Sequence, residues 1–247
     1  MRECYFVGAA LHTSMGSKFS EHLASLKLGP EQPVQACAEY AGKTQPLPYK
    51  LLSDTPLQDL DRRLETVIDH VINDAFAEAG LSKRDQQRTG LFIGTSSFDI
   101  CTTEHQYREA LKSANNALPM EHSSSLGTLA TSIRKRFDFR GPDYSFNTAC
   151  TASANALIYA DAMIRSGQLE HALVLGVETF NSITALGFHG LQLLSPSAMR
   201  PFSPERNGLI LGEGCSALVL SYQPNQFHSF RLVASSNLCD THSISAA

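Results

Sequence analysis

Residues 143–167 read DYSFNTACTASANALIYADAMIRSG, and this stretch constrains the fold more than any other. The apolar residues at its start predict a short strand, and the alanine-rich run after the cysteine has the spacing of a helix that ends at Gly167. A strand that turns directly into a helix presents the first helical residues at an edge of the sheet. We therefore expect an α/β fold in which Cys150 lies at such an edge.

The rest of the chain alternates strand and helix patterns. The clearest helix lies before Gly80, because apolar residues repeat on one face. Those residues are Leu60, Leu64, Val67, Ile68, Val71, Ile72, Ala75, Phe76 and Ala79. A second helix is predicted near 126–136, with N-cap candidates at 123–125. Strands are predicted within 4–12, 88–97, 143–150, 171–180, 207–222 and 230–237. This alternation indicates one α/β domain, residues 1–247, with a mainly parallel sheet and packed helices.

Charge and hydropathy exclude two classes of partner. The 247 residues carry a formal net charge of −4, so we expect neither nucleic acid nor an anionic membrane surface as a partner. No apolar run approaches the roughly 20 residues that span a bilayer, so no membrane span is predicted. The first residues, MRECYFVGAALH, predict a strand rather than a signal peptide. Six cysteines without a CxxC pair favour free thiols and a cytoplasmic location.

Cys150 has the setting of a nucleophile. A helix N-terminus carries about half a positive charge and free N–H groups, and both favour a thiolate. Ala149, Ala152 and Ser153 leave room for an acyl group and for close helix packing. An acyl thioester is the natural intermediate of such a cysteine. The alternative is a small core cysteine. That is the expectation for the other five, which are Cys4, Cys37, Cys101, Cys215 and Cys239.

Three ordered segments, GPDYSFNTACTASANAL, ALVLGVETF and RPFSPERNGLILGEGCSALVL, resemble the N-terminal half of a β-ketoacyl-(acyl carrier protein) synthase of the thiolase superfamily. The resemblance extends from YFVGAAL to CDTHSISA. It implies the N-terminal half of the thiolase-like fold, with a mainly parallel mixed sheet, packed helices and no C-terminal half. Ser203 and Asn207 depart from the family, which commonly carries acidic residues there, and this bears on the contacts of Arg200 and Arg206.

By this resemblance, Cys150 corresponds to the nucleophile that accepts an acyl chain from acyl carrier protein, whether active or vestigial in this chain. A malonyl-carrier thioester is then decarboxylated, and its carbanion attacks the acyl group. The substrates are phosphopantetheine thioesters, and neither a cofactor nor a metal is implied. The family's two histidines lie in the C-terminal half, and none of the nine histidines here lies in an HGT sequence. His189 and His242 are candidate substitutes, although we expect structural roles for both.

The resemblance also implies a partner. Without a second half, apolar residues on the helix after Cys150 would be partly bare, namely Ala154, Leu157, Ile158 and Ala162. Large apolar patches mark interfaces, so either a partner covers this face or the chain belongs to a longer protein. The family pairs through the strand before the cysteine, which here reads DYSFN. We therefore expect a heterodimer with a full-length ketosynthase.

Two functions within the family stay open. The first is a chain-length-factor-like partner that shapes the acyl tunnel of a ketosynthase in fatty acid, polyketide or polyene elongation. Many such partners lack the cysteine that this chain keeps. The second is a condensing acyltransferase that uses Cys150 with groups supplied by another chain. A cysteine hydrolase outside the family is a third hypothesis, but the sequence offers no partnered histidine and aspartate.

Iodoacetamide should label Cys150 faster than Cys101 or Cys215 under native conditions, because a helix N-terminus activates a thiol and an apolar core does not. We expect a difference of at least about tenfold in rate. Peptide mass spectrometry after brief labelling measures this difference. Earlier labelling of Cys101 or Cys215 would contradict the assignment of Cys150 as the nucleophile.

Overall fold

The computed structural model describes residues 2–29, 32–53, 60–112, 128–225 and 230–238. Within these ranges the chain forms eight strands in two sheets and seven α-helices. The strands are β1 (Tyr5–Thr13), β2 (Val34–Tyr40), β3 (Lys43–Lys50), β4 (Gly90–Gly94), β5 (Asp143–Phe146), β6 (His171–Glu178), β7 (Leu211–Gly212) and β8 (Gly214–Ser221). The helices are α1 (Phe19–Leu28), α2 (Leu60–Ala79), α3 (Lys83–Arg88), α4 (Ile100–Lys112), α5 (Thr128–Phe137), α6 (Ala152–Arg165) and α7 (Ser182–Gly190).

Five strands form the main sheet in the order β1-β8-β6-β4-β5. β4 pairs in parallel with β5 and β6, whereas β8 pairs antiparallel with β1 and β6. Parallel neighbours need a crossover connection, and the helices that lie between β4, β5 and β6 in the chain provide it. The predicted α/β class with a mixed sheet is confirmed, and within the main sheet parallel pairing is confined to β6-β4-β5.

Helix α2 covers one face of the main sheet. The predicted apolar stripe is buried from Leu64 to Ala79, and it packs against β1 and β8. Gly8 of β1 permits this close approach, because a Cβ there would lie 2.2 Å from the carbonyl oxygen of Ala75. The helix ends at Gly80, whose φ of 66° is a left-handed conformation that suits glycine. The sequence prediction for this helix is thus confirmed.

Helix α6 covers the other face of the sheet. Alternate residues of a strand point to opposite faces, and Phe92 of β4 packs with α6 whereas Ile93 packs with α2. The inner side of α6 is buried at Ala156, Ala160 and Ile164. The outer side is partly bare, as predicted. Its apolar residues are Ala154 and Ala162, which are exposed, and Leu157 and Ile158, which are half-buried.

A hairpin that the sequence patterns did not reveal contributes most of the second sheet, whose order is β2-β3-β7. Its turn has positive φ at Ala41 (47°) and Gly42 (75°), which matches the geometry of a two-residue hairpin loop. Pro46 and Pro48 lie in β3, where neither has a backbone N–H to donate. Prolines argue against a strand, and this is why the sequence did not indicate β3.

Three smaller predictions have different outcomes. The helix near 126–136 is confirmed over α5, while its N-cap candidates at 123–125 lie outside the described residues. The run 207–222 divides at Glu213 into β7 and β8. No helix in the described ranges combines the length and hydropathy needed to cross a membrane.

The predicted strand at 230–237 is wrong. Residues 230–238, which we call the C-terminal strap, contact β1 through a single isolated bridge. The Leu232 N–H donates a hydrogen bond to the Cys4 carbonyl at 3.2 Å. The strap therefore runs beside the outer edge of β1 without extending the sheet, because too few of its backbone groups pair there.

A buried carboxylate joins four parts of the fold. Glu213, between β7 and β8, accepts hydrogen bonds from both terminal nitrogens of the Arg63 guanidinium on α2. It also accepts from the backbone N–H groups of Leu52, after β3, and Phe180, before α7, each at 2.8 Å. The side chains of Arg63 and Glu213 are only 3% and 0% exposed. Water does not solvate these charges, so the protein groups must compensate them.

Glu213→Ala should lower the free energy of unfolding by about 3–5 kcal/mol, because it leaves the Arg63 charge buried without its carboxylate. Glu213→Gln keeps the shape and two acceptor sites, so its loss should be smaller. The control is Glu170→Ala, which removes a surface carboxylate 3.9 Å from Arg88 and should cost less than about 1 kcal/mol. Urea denaturation measures all three. Equal losses for Glu213→Ala and Glu170→Ala would contradict a central role for Glu213.

Candidate functional site

The structure places Cys150 where the sequence predicts, between the end of β5 and the start of α6. It lies in a 3₁₀ turn, Ala149–Thr151. Cys150 is exposed, and within the described ranges its Sγ has no hydrogen-bond partner. Ala149 has a φ of 51°, a left-handed conformation that costs a non-glycine residue about 1–3 kcal/mol. Such strain persists only where surrounding contacts hold it, and it is common at functional sites.

The small residues around the cysteine serve helix packing first. A Cβ on Gly94 of β4 would lie 2.4 Å from the Ser153 backbone nitrogen, and one on Gly176 of β6 would lie 2.9 Å from the Ser153 Oγ. The Ser153 hydroxyl also donates to the Gly94 carbonyl at 3.2 Å, and Ala152 is buried. Room for an acyl group is therefore left on the outer side of the turn, where Ala149 is exposed.

Hydrogen bonds close the cysteine turn from both ends. Thr151 donates to the Thr148 carbonyl through its backbone N–H (3.2 Å) and through its hydroxyl (2.8 Å). Asn155, one helical turn later, donates its Nδ2 to the Thr148 Oγ1 at 2.7 Å. Asn147 donates to the Ser96 carbonyl at 3.4 Å. Asn155 is not among the site residues that the sequence predicts, because a polar residue near a helix start is by itself no sign of a role at the turn.

Burial separates Cys150 from most of the other cysteines. Burial in the core raises the pKa of the Cys4 thiol to about 12, and it also raises the pKa of the Cys101 and Cys215 thiols. These three are core cysteines, as predicted. The same expectation is wrong for Cys37, which is exposed because it points to the opposite face of β2 from the buried Ala36 and Ala38.

No hydrogen bond joins the cysteine turn to a histidine within the described part of the chain. His189 is exposed on α7. His12 and His22 are buried elsewhere in the fold. Their ring nitrogens form hydrogen bonds of 2.9 and 2.8 Å to the backbone carbonyls of Ser53 and Lys18. His242 and Cys239 lie outside the described residues. The described residues thus offer a thiol, and they place no imidazole in contact with it.

A cavity of about 590 Å³ opens beside the turn. Its lining residues are Ser96, Ser97, Phe98, Asp99, Ile100, Thr103, Glu104, Tyr107, Asn147 and Ile183. A second cavity of about 870 Å³ shares Glu104, Tyr107 and Ile183 with the first. The Glu178 carboxylate supports one wall, because it accepts hydrogen bonds from the Ser97 hydroxyl (2.7 Å) and the Ser96 N–H. In the described ranges, no three His, Cys, Asp or Glu side chains are placed to hold a metal ion.

Ser203 and Asn207, the two residues that depart from the family pattern, form local contacts. Arg200 pairs with a nearby exposed glutamate at 2.9 Å. Arg206 donates to the Ser203 carbonyl at 3.2 Å, and the Asn207 Oδ1 accepts from the Ser195 hydroxyl at 3.0 Å. Both arginines therefore have partners without acidic residues at 203 and 207, and the fold is unchanged.

A family model described as the β-ketoacyl synthase N-terminal domain matches residues 55–224. Nodulation protein E from Rhizobium sp. (strain N33) is 28% identical over 181 residues, which are 68% of this chain and 45% of that protein. Putative polyketide beta-ketoacyl synthase 1 from Streptomyces halstedii is 28% identical over 186 residues, which are 68% of this chain and 44% of that protein. The chain thus spans less than half the length of both relatives.

Solved structures share the fold. One chain of a ketosynthase in complex with its chain length factor from Xenorhabdus doucetiae aligns with a TM-score of 0.71 and 19% identity, over 92% of this chain and 60% of that chain. A β-ketoacyl synthase from Burkholderia phymatum STM815 aligns with a TM-score of 0.68 and 23% identity, over 90% of this chain and 59% of that chain. These structures bear out the predicted thiolase-like fold. Since the family model covers most of the chain, the protein belongs to the β-ketoacyl synthase family and carries its N-terminal domain.

Proposed function

We propose that the chain is a ketosynthase-like subunit that pairs with a full-length β-ketoacyl synthase. Its substrates would be acyl chains carried as phosphopantetheine thioesters by acyl carrier protein. In this role it resembles a chain length factor and shapes the acyl tunnel during fatty acid, polyketide or polyene-type elongation. A cytoplasmic location belongs to the proposal, since the five described cysteines are free thiols. The observation that carries the proposal is an exposed cysteine turn beside an uncovered apolar face.

The uncovered face consists of the outer side of α6, the adjoining surface of β1 and β8, and the C-terminal strap. Leu11 of β1 is 40% exposed and lines a shallow cavity of about 380 Å³ together with Ser153 and Ser216. Phe230 and Val233 of the strap are 76% and 73% exposed. Exposed apolar side chains of this kind are typical of an interface, so a partner that covers them is part of the proposal.

The β5 edge of the main sheet, opposite to its β1 edge, supports pairing with a strand of another chain. β5 is an edge strand, and its unpaired backbone groups are available to a strand of another chain. Tyr144 of β5 stacks on Phe92, with ring centroids 5.5 Å apart, and meets Tyr159 of α6 edge-on at 5.0 Å. These contacts hold the edge strand firmly against α6, so a partner would meet a preformed surface beside the cysteine.

A second candidate function is condensation with Cys150 as the acyl acceptor. The Cys150 Sγ would attack the carbonyl carbon of a carrier thioester, the new thioester would form, and the phosphopantetheine thiol would leave with the proton. The strained, exposed turn favours this candidate, because strain of this kind is typical of functional sites. The groups that polarise the thioester carbonyl would then come from another chain, since no described histidine bonds to the turn.

Expressed alone, the chain should self-associate or be insoluble, because the uncovered face costs free energy in water. Coexpressed with its ketosynthase, it should elute as a 1:1 complex, which light scattering measures. Ser145→Lys, on the exposed edge of β5, should weaken the complex, and Gln35→Lys, on the edge strand β2, is the matched control. A well-behaved monomer of 26.9 kDa with a sharp melting transition would contradict the partner role.

Cys150→Ala separates the two candidate functions in the assembled complex. A chain-length-factor-like subunit predicts that the rate of elongation changes less than about twofold, because the ketosynthase partner supplies the nucleophile. A condensing subunit predicts a loss of about 1000-fold or more, since the acyl acceptor is gone. Cys37→Ala, at the other exposed thiol, is the control. We expect the first result, and the second would replace the partner role with the catalytic one.

A further inference from the structure

We propose that Asn155 is a positioning residue, whose side-chain amide links the turn that carries Cys150 to the C-terminal strap. Contact between the strap and Asn155 would then influence the rate at which Cys150 reacts. This inference rests on the proposed function only in taking Cys150 as the reactive thiol. It concerns the geometry of the turn and holds for either candidate function.

Both ends of the Asn155 amide are used. Its Nδ2 donates to the Thr148 Oγ1 at 2.7 Å and to the Thr151 Oγ1 at 3.4 Å. Its Oδ1 accepts a hydrogen bond from the Nδ2 of Asn237 in the strap. A carboxamide has one accepting end and one donating end, so the contact with Asn237 fixes which end faces the threonines. Without Asn237, the Asn155 amide would keep its bonds to the threonines but would lose the contact that fixes this orientation.

The amide braces a strained segment. Thr148 and Thr151 flank Ala149, whose φ of 51° persists only while neighbouring contacts hold it. Asn155 lies in the first turn of α6, and its hydrogen bonds bring it together with Thr148 and Thr151 of the preceding turn. Removing the brace should let Ala149 relax, and Cys150 would then spend less time exposed at the N-terminal end of α6.

The strap has a second anchor at the far end of α6. The Arg165 guanidinium donates to the Leu232 carbonyl and to the Asp161 carboxylate, the latter at 2.8 Å. Asn155 and Arg165 are ten residues apart, about 15 Å along a helix. Leu232 and Asn237 are five residues apart, which in an extended chain also reach about 17 Å. The strap therefore lies along α6 on the uncovered face, where a docking partner would press on it.

The test compares the rates at which iodoacetamide modifies Cys150 and Cys37 in the full chain, measured by peptide mass spectrometry. Cys37 is exposed on the second sheet and serves as the internal control. Asn155→Leu keeps the side-chain size and removes its hydrogen bonds, and it should lower the Cys150:Cys37 ratio about fivefold. Asn155→Gln keeps the amide and should restore at least about half of the ratio.

Asn237→Ala should lower the same ratio about twofold in the natural chain, and it should have no further effect in the Asn155→Leu background, because it acts through Asn155. An unchanged ratio in Asn155→Leu would overturn the inference. So would a loss in Asn237→Ala that is equal in both backgrounds. The unaltered chain tests the assignment of Cys150 as the nucleophile. A Cys150:Cys37 ratio near one in that chain would count against this assignment, and the comparison of variants would still test the role of Asn155.

Discussion

The buried carboxylate of Glu213 is the contact on which the arrangement of the whole chain depends. It binds Arg63 of α2 and the backbone N–H groups of Leu52 and Phe180, and so it ties the main sheet to the second sheet, to α2 and to the start of α7. A charge in this position is tolerable only when every donor is in place, because water does not reach it. This requirement holds the start of β8 in place, and pairing with β1 and β6 along the rest of β8 builds the sheet on which α6 rests.

The cysteine site follows from how closely α6 approaches that sheet. Gly94 and Gly176 leave no room for side chains beneath Ser153, so the first turn of α6 is held directly against β4 and β6. The chain must leave β5 and enter α6 within a few residues, and Ala149 takes a left-handed conformation to do so. The outcome is an exposed thiol on a strained turn, beside a partly exposed apolar face. In the proposed function, chemistry and assembly would therefore meet at the same end of α6.

The sequence predicted the parts of the fold that local patterns control. Helix α2 and the strand-turn-helix at Cys150 were predicted correctly, because their apolar periodicity and small residues are local signals. Prolines at 46 and 48 concealed β3, since a strand that contains them depends on tertiary pairing. The strap resembled a strand because residues 230–234 are mostly apolar. Strand formation also requires continuous pairing with β1, and only one bridge forms there. Asn155 had no local signal of function, because its partners Thr148 and Asn237 come together only in three dimensions.

The most direct test of the account is hydrogen–deuterium exchange of the chain with and without its coexpressed ketosynthase. If the uncovered face and the β5 edge form the interface, amides of β5 and of the strap should become protected in the complex, while those of β2 and β3 should exchange as before. Protection confined to β2 and β3, with β5 and the strap unchanged, would contradict the proposal that this subunit meets its partner beside Cys150.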